Sequence, residues 1–138
     1  MSDPRSPHAV LTAGYAAFNG RDPDALRELM VDDFRWNEAE EVPGRKQCAS
    51  ADEFAAYMMG FDLLWEEFSF EALELRPISD DTVIARVVGR GRGKAAGDPV
   101  ELEIFHVWRF RGGKVARMDA FLDPGLAADA AQESAPED

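Results

Sequence analysis

The amino-acid sequence predicts an α+β domain in which N-terminal helices pack on the concave face of a curved, mainly antiparallel sheet. Two observations support this class. Most of residues 8–61 carry helix-like apolar patterns, whereas residues 68–122 carry a run of long alternating segments. Helices that come first and strands that follow as a meander are typical of α+β proteins. The length of 138 residues fits one ordinary domain.

The first helix is predicted from about residue 8 to residue 19. Its buried stripe consists of apolar residues at helical spacing, namely Leu11, Tyr15 and Phe18. Gly20 ends this helix, since glycine is the usual residue after the last turn. Asp22 and Pro23 then begin a second helix, because an acceptor side chain followed by proline is a typical N-terminus.

A short strand and a third helix follow. Residues 34–38 alternate, and this pattern predicts a strand. The side chains that share its buried face are Phe34, Trp36 and Glu38. After a loop that contains Pro43-Gly44, Ser50 and Glu53 form a capping box that begins the third helix. This helix carries its apolar stripe on Phe54, Tyr57, Met58 and Phe61.

The second half of the chain is predicted to be a meander of strands. The strand segments span about residues 68–76, 82–93, 101–110 and 115–122, and a short helix near Leu126 follows them.

The strand over residues 101–110 is the most informative segment. Its alternation places one set of side chains on a single face: Leu102, Ile104, His106, Trp108 and Phe110. Because the other members are large and apolar, this face is predicted to be buried with His106 in its middle. Such a histidine is either a core residue with a satisfied hydrogen bond or part of a pocket, and the pattern leaves both open.

The hairpin after this strand decides which residues of the last strand face inward. A three-residue loop, residues 111–113, would pair His106 with Met118 and keep the interior apolar. A two-residue Gly-Gly turn would pair His106 with Asp119 and bury charges. The three-residue loop is therefore expected.

The outward face of the same hairpin also carries apolar side chains. They are Phe105, Val107, Val115 and Phe121, with Arg109, Arg117 and Asp119 around them. Apolar groups of this number on the outer face of a sheet are typical of a partner surface, so a homodimer through this face is expected.

Charge and composition disfavour several classes of function. The net charge of −12 argues against nucleic acid, whose phosphates require clustered Lys and Arg. No apolar stretch approaches the ~20 residues of a membrane span, and the N-terminal residues lack the layout of a signal peptide. The single cysteine, Cys48, excludes an intrachain disulfide and fits a reducing compartment. We therefore expect a cytoplasmic protein with no nucleic-acid or membrane partner.

The domain boundaries follow from composition. Neither an internal repeat nor an interdomain linker is visible, so residues 8–130 are expected to form one domain. Residues 1–7 are expected to be an N-terminal extension. Residues 131–138 are rich in alanine and acidic residues, which predicts a disordered tail.

The glycine-rich stretch at residues 89–94 does not lead into a helix, as phosphate-binding loops do. It is expected to lie at a strand edge where Arg90 and Arg92 pair with Glu101 and Glu103. The chain has only two histidines and no metal-ligand spacing, so no metal and no cofactor are expected.

Four segments together carry a resemblance to a known family. They are YAAFNGRD at residues 15–22, DAL at 24–26, Asp32-Asp33, and VWRFRGGKV at 107–115. Their order and spacing resemble the SnoaL-like branch of the nuclear transport factor 2-like superfamily over about residues 8–130. The resemblance implies a cone-shaped α+β barrel with an apolar pocket between helices and sheet, often dimeric. That superfamily includes polyketide cyclases, ketosteroid isomerases, epoxide hydrolases, dehydratases and proteins without catalysis, so the fold alone does not give the function.

Similarity to the ketosteroid isomerases implies roles for three residues. Glu38 falls at the position of the catalytic carboxylate base, Tyr57 at that of a pocket tyrosine, and His106 at that of the oxyanion-binding aspartic acid. Gly14 stands where those enzymes have their oxyanion-hole tyrosine, with Tyr15 beside it on a different side of the helix. This departure argues against true isomerase activity.

Further comparison with these families leaves alternatives. Ala120 falls where limonene epoxide hydrolases carry an essential aspartate, which argues against that chemistry. Glu38 can instead end its strand at a wet rim, and Tyr57 can be a core residue whose hydroxyl reaches the surface.

Glu38 and His106, if they share a pocket, suit acid/base chemistry on an apolar carbonyl compound. A desolvated carboxylate could take a proton α to the carbonyl, and an imidazole could donate a hydrogen bond to the developing enolate. Ring closure, isomerisation or dehydration would each fit. The ligand-binding residues expected around the pair, in a cavity of about a few hundred Å³, are Phe34, Trp36, Phe54, Met58, Trp108, Met118 and Ala120.

Two classes of function remain open at this point. The first is a cofactor-independent isomerase, cyclase or lyase. The second is a protein without catalysis that binds a hydrophobic small molecule, or an accessory subunit. A Glu38 buried beside His106 favours the first class, and an exposed Glu38 favours the second.

Overall fold

The computed structural model describes residues 6–41, 45–94 and 97–132. Its elements are, in chain order, α1 Pro7–Asn19, α2 Pro23–Leu29, β1 Met30–Asn37, β2 Gln47–Cys48, α3 Ala51–Met59, α4 Phe61–Leu64, β3 Trp65–Ser79, β4 Thr82–Gly93, β5 Pro99–Arg111, β6 Lys114–Phe121 and α5 Pro124–Gln132. Within these residues the strands form one sheet in the order β2-β1-β6-β5-β4-β3, antiparallel except for the β1–β6 pair. The predicted α+β class is confirmed.

The helix starts follow from the capping residues. Asp22 and Ser50 are the predicted N-caps, and each side chain accepts a hydrogen bond from the backbone N–H three residues further on. Gly60 ends α3 one residue before the predicted stripe is complete. Phe61 therefore begins the short helix α4 and does not extend the third helix.

The main core lies between the helices and the concave face of the sheet. The largest fully buried side chains there come from α1, α3, β1 and β6, namely Leu11, Phe54, Met58, Phe34 and Met118. The predicted buried face of β5 is confirmed from Ile104 to Phe110, because these residues pack on this core and His106 is only 1% exposed. It is wrong for Leu102, which is 41% exposed.

The turn between β5 and β6 differs from the expectation. Arg111 pairs with Lys114, so the turn consists of the two residues Gly112 and Gly113. Their φ angles are 61° and 83°. Positive φ at both central residues is the requirement of a type I′ turn, and glycine adopts it without strain. The predicted three-residue loop is wrong.

The interior nevertheless stays apolar because a β-bulge corrects the register. The pairing of β5 with β6 shifts by one residue between Arg109 and Phe110. As a result, Trp108 faces Met118 and His106 faces Ala120. The charged partner that a two-residue turn implied for His106, Asp119, pairs with Val107 on the other face. The cost of burying charge is thus avoided by the extra residue in β6, not by a longer loop.

The outward patch also differs from the expectation. The bulge turns Val115 into the main core, where it is 4% exposed. Phe105 and Val107 do face outward, but Ala127 and Ala131 of α5 pack over them. The surface expected to hold a partner is thus largely covered by this chain's own helix, and a homodimer stays a prediction.

The strand β4 lies inside the sheet, between β3 and β5, and not at an edge. Arg90 contacts Glu101 as expected, at 3.1 Å, and also contacts Glu71. Glu103 contacts Arg86 at 3.4 Å, so the expected pairing of Glu103 with Arg92 is wrong.

The predicted boundaries are refined at both ends. Pro7 already belongs to α1, and residues 131 and 132 form the last part of α5. The rest of the expected N-terminal extension and tail, residues 1–5 and 133–138, lies outside the described residues, as does the Pro43-Gly44 loop. None of the described helices is long and apolar enough to cross a membrane.

Candidate functional site

A cavity of about 250 Å³ opens on the concave side of the sheet, between α3, α4 and the strands. Glu38, Tyr57 and His106 all line this cavity, together with Trp36 and Ala120. The fold therefore brings five of the ten predicted site residues to one wall. They come from α3, β1, β5, β6 and the residue that follows β1.

Glu38 follows directly after β1 and is half-buried. Its Oε2 accepts hydrogen bonds from the Tyr57 hydroxyl at 2.7 Å and from the Trp36 indole N–H at 3.3 Å. Its Oε1 accepts one from the backbone N–H of Lys46 at 2.9 Å. Three donors from separate parts of the chain therefore hold the carboxylate in one orientation at the cavity wall.

Tyr57 occupies the buried side of α3, which carries its ring towards β1. Burial, followed by the hydrogen bond to Glu38, raises the pKa of the Tyr57 hydroxyl well above its usual range. The hydroxyl therefore keeps its proton and acts as a donor to the carboxylate. It is a partner of Glu38, which differs from the alternative of a core tyrosine with its hydroxyl at the surface.

His106 is part of a buried hydrogen-bond chain that reaches α1. The indole N–H of Trp108 donates to Tyr15 Oη at 2.9 Å, and Tyr15 Oη lies 2.7 Å from His106 Nδ1. Tyr15 has one hydroxyl proton, and Trp108 can only donate. The arrangement that satisfies every atom has Tyr15 donating to Nδ1, so the imidazole proton is on Nε2.

Burial keeps both His106 and Tyr15 neutral in this hydrogen-bond network. It lowers the pKa of His106 to about 3 and raises the pKa of Tyr15 far above its usual range, although the Trp108 N–H opposes the latter shift. His106 is therefore a neutral imidazole at physiological pH. Nδ1 is used by Tyr15, which leaves the Nε2–H as the ring group available to the cavity.

The two readings of His106 from the sequence are thus both correct in part. The ring is a core histidine with a satisfied hydrogen bond, and it also lines the cavity. Trp36 lies between the two candidate catalytic groups, because its ring contacts His106 at 5.5 Å between centroids and its N–H reaches Glu38.

An aromatic wall closes the cavity on the side of β3 and α4. Its rings belong to Phe61, Trp65, Phe68 and Phe70. Glycines in the neighbouring strand β4 make room for them: a Cβ on Gly91 would lie 2.8 Å from the Phe68 ring, and one on Gly89 would lie 3.3 Å from the Phe70 ring. The glycine-rich stretch therefore has a packing role in forming the cavity.

The end of α1 holds the same wall through the backbone of β3. The Asn19 side chain donates to the Phe70 carbonyl and accepts from the Phe70 N–H, both at 2.9 Å. Arg21 donates to the Phe68 carbonyl at 2.8 Å. Residues 19–21 at the end of α1 thus position Phe68 and Phe70, whose rings line the cavity.

The other predicted ligand-binding residues lie elsewhere. Phe34, Met58 and Met118 have no exposed surface and pack in the core. Phe54 and Trp108 line a separate crevice of about 20 Å³ beside Gly14 and Tyr15. The prediction of a single cavity with all these residues on its wall is therefore wrong for these five.

The roles of Tyr15 and of the aromatic wall were not predicted from the sequence. The signal for Tyr15 was present, because a tyrosine in a buried helical stripe requires a partner for its hydroxyl, and a buried histidine requires one as well. The signal for the aromatic wall was the alternation of glycines at residues 89–93 opposite a strand rich in phenylalanine.

The described residues contain neither a cluster of metal ligands nor a thiol that ionises at neutral pH. Among the described residues, no three His, Cys, Asp or Glu side chains cluster as a metal site would require. Cys48 is buried in β2, and burial raises the pKa of its thiol to about 11, so it stays protonated at neutral pH.

Comparison with known proteins gives a family and a fold. The family model of the SnoaL-like domain matches residues 11–118. No curated protein sequence matches the chain. An NTF2-like protein from Burkholderia thailandensis is 27% identical, with a TM-score of 0.72, and the match covers 96% of this chain and 100% of that chain.

Two further solved structures resemble the chain at lower identity and show the fold alone. TerC co-crystallised with polyporic acid is 20% identical, with a TM-score of 0.73, over 96% of this chain and 100% of that chain. A Mycobacterium tuberculosis protein in complex with estradiol-17β-hemisuccinate is 14% identical, with a TM-score of 0.72, over 88% of this chain and 96% of that chain.

Proposed function

This chain belongs to the SnoaL-like domain family, and from that premise we propose that it binds a small, mostly apolar carbonyl compound and acts on it by acid/base chemistry. The observation that carries the proposal is the presence of Glu38 and a neutral His106 on the wall of one cavity. A carboxylate is an acceptor and the imidazole Nε2–H is a donor, so the wall offers one group of each kind to a bound carbonyl compound.

The proposed first step is enolisation. Glu38 takes the proton from the carbon next to the carbonyl, and the electron pair of that C–H bond forms the enolate. The charge that develops on the oxygen is stabilised by the Nε2–H of His106. Tyr57 and Trp36 hold the carboxylate in place through their hydrogen bonds. Return of the proton to another carbon gives an isomerisation, and attack of the enolate on a second carbonyl gives a ring closure.

A protein without catalysis that binds a hydrophobic small molecule is the second candidate. The three hydrogen bonds to Glu38 favour this candidate as well, because a carboxylate with only a structural role would accept hydrogen bonds in the same way. The bound molecules of TerC and of the mycobacterial protein support a small-molecule pocket under either candidate.

Hydrogen exchange of a simple ketone tests the proposal and separates the two candidates. In D₂O, 2-tetralone exchanges its α-protons, and NMR measures the rate. We expect the protein to accelerate this exchange and Glu38→Gln to reduce the acceleration by about 100-fold or more. Glu74→Gln, which removes the charge of an exposed carboxylate away from the cavity, should leave the rate unchanged.

The outcome decides between the candidates. If 2-tetralone shifts the resonances of cavity residues but exchanges no faster than in buffer, the protein is a binder and the enolisation is excluded. If it neither binds nor exchanges faster, the carbonyl compound is the wrong ligand class.

A homodimer and a cytoplasmic location complete the proposal. With α5 docked, the expected interface is covered, so a dimer through the outer face of the sheet requires that helix to move. Sedimentation at micromolar concentration would settle the oligomeric state, and a monomer would remove the dimer from the proposal.

A further inference from the structure

We propose that the ligand of this cavity carries an organic cation, a protonated or quaternary ammonium group, held against Glu38 and the aromatic wall. The inference rests on the pocket of the proposed function, but it does not rest on the base step. It names the class of ligand for either candidate.

The first argument is the geometry of the rings. Phe61 contacts Phe68 at 4.9 Å between centroids and 65° between planes, and Phe68 contacts Phe70 at 5.1 Å and 90°. Tyr57 contacts Phe61 at 4.9 Å and 74°. Rings at such steep angles present their faces in different directions, as the sides of a box do. Ring faces are the negative side of the aromatic quadrupole, and they attract ammonium groups.

The second argument is the charge of the wall. Glu38 is the one acidic side chain that lines the cavity, and no Lys or Arg of the described residues lines it. His106, the other titratable group that faces the space with Tyr57, is neutral. A carboxylate offers about four lone-pair sites, and three are used here. One acceptor site is therefore left for a donor from the ligand.

A neighbouring recess adds negative charge beside the cavity. This recess of about 300 Å³ shares Glu38 and Ala120 with the cavity. Among the described residues, its wall carries Glu40 and Glu41 against Arg45, and Asp119, which is already paired with Arg117 at 2.8 Å. In a chain of net charge −12 this recess attracts cations and repels anions.

Tyr57, which lines the cavity beside Glu38, already has one cation of the chain against its ring. Lys46 Nζ lies 5.8 Å from the centroid of the Tyr57 ring. The volume of about 250 Å³ lies just below the usual range for drug-sized ligands, which points to a small ammonium compound with a short apolar body.

A matched pair of probes tests the ligand class. Choline and 3,3-dimethylbutan-1-ol have the same shape but differ in charge, and isothermal titration calorimetry measures both. We expect choline to bind the wild-type chain at least about tenfold more tightly than the alcohol, since an ion pair and cation–π contacts together exceed that factor. Glu38→Gln should lower the ratio to the severalfold preference that the aromatic rings still supply, whereas Glu74→Gln should preserve the wild-type ratio.

A second variant covers the case in which Glu38→Gln does not fold. Trp65→Leu keeps the carboxylate but removes one ring of the wall, and it should weaken choline severalfold while affecting the alcohol less. Equal or tighter binding of the alcohol by the wild-type chain would overturn the cationic class and leave the pocket intact. Binding of neither probe, when 2-tetralone does bind, would overturn the cationic class alone, and binding of none of the three would also overturn the carbonyl proposal.

Discussion

The two faces of strand β5 are built differently although their residues alternate along one segment of chain. On the concave face, His106 and Trp108 belong to a hydrogen-bonded aromatic network beside a cavity. On the convex face, Phe105 and Val107 are covered by alanines of α5, and Arg109 donates a hydrogen bond to the Ala130 carbonyl of that helix at 2.6 Å. The difference shows that large rings border the cavity, whereas small side chains let a helix pack closely on the other face.

The convex face should be the more sensitive of the two to an inserted charge. Ala127 has no exposed surface and packs on Phe105 and Val107. Ala127→Glu places an unpaired carboxylate in this contact, so we expect a loss of about 3–5 kcal/mol in the free energy of unfolding or release of α5. Urea denaturation measures the loss of unfolding free energy, and sedimentation detects the release of α5.

Leu126→Glu is the matched control for this variant, because Leu126 lies on the same helix and is 48% exposed. It should change the unfolding free energy by no more than about 0.5 kcal/mol. Should Ala127→Glu be equally mild, α5 does not close the convex face in solution and the outer surface is open for a partner.

His106 on the concave face should make the free energy of unfolding depend on pH. The pKa of His106 is lowered to about 3, whereas the unfolded chain has the ordinary value of about 6.5. Between these values the unfolded state binds a proton that the folded state does not bind. The free energy of unfolding should therefore fall as the pH falls from about 6.5 towards 3, by about 2 kcal/mol between pH 7 and pH 5.

Denaturant midpoints across this pH range measure the effect. His106→Gln should flatten the dependence above pH 5, and His8→Gln, which changes an exposed histidine, should retain it. The lowered pKa values of Asp33 and Asp81, caused by hydrogen bonds from Arg111 and from Ser79 and Thr82, act in the same direction, but only once the pH falls towards the ordinary aspartate pKa of about 4. A dependence that survives in His106→Gln would show that the buried ring is not its source.

The smallest expected effect is a gain in stability on the concave side. Gly14 lies inside α1 at the crevice that Phe54 and Trp108 also line, and a Cβ there would meet only Leu29 at 3.9 Å. Gly14→Ala should stabilise the chain by up to about 1 kcal/mol, because alanine loses less conformational freedom in a helix. Thermal unfolding measures the change.

Gly20→Ala is the control for this variant, since its Cβ would lie 3.2 Å from the Ala16 carbonyl and no gain is expected. A loss of stability in Gly14→Ala would show that α1 packs more closely on Leu29 of α2 than this distance implies.

Local residue patterns were sufficient to predict most of the helices and strands and which of their faces are buried. Apolar spacing gave the first three helices, Asp22 and Ser50 gave two of their starts, and alternation in β5 placed His106 on the buried side. These features are local, because helical and strand periodicities are set by residues within a few positions of one another. The resemblance placed Glu38 and Tyr57 well enough that both line one cavity with His106.

The partners of these buried faces depend on contacts between distant parts of the chain and could not be predicted from local patterns. The partner of His106 is Tyr15, 91 positions away, and the cover of Phe105 and Val107 is a helix that begins at Pro124. The hairpin is an example. The cost of burying charge correctly predicted an apolar interior, but a longer loop and a β-bulge both meet that requirement. Local patterns fix which side of an element is buried, and the packing of distant elements decides what each buried side chain contacts.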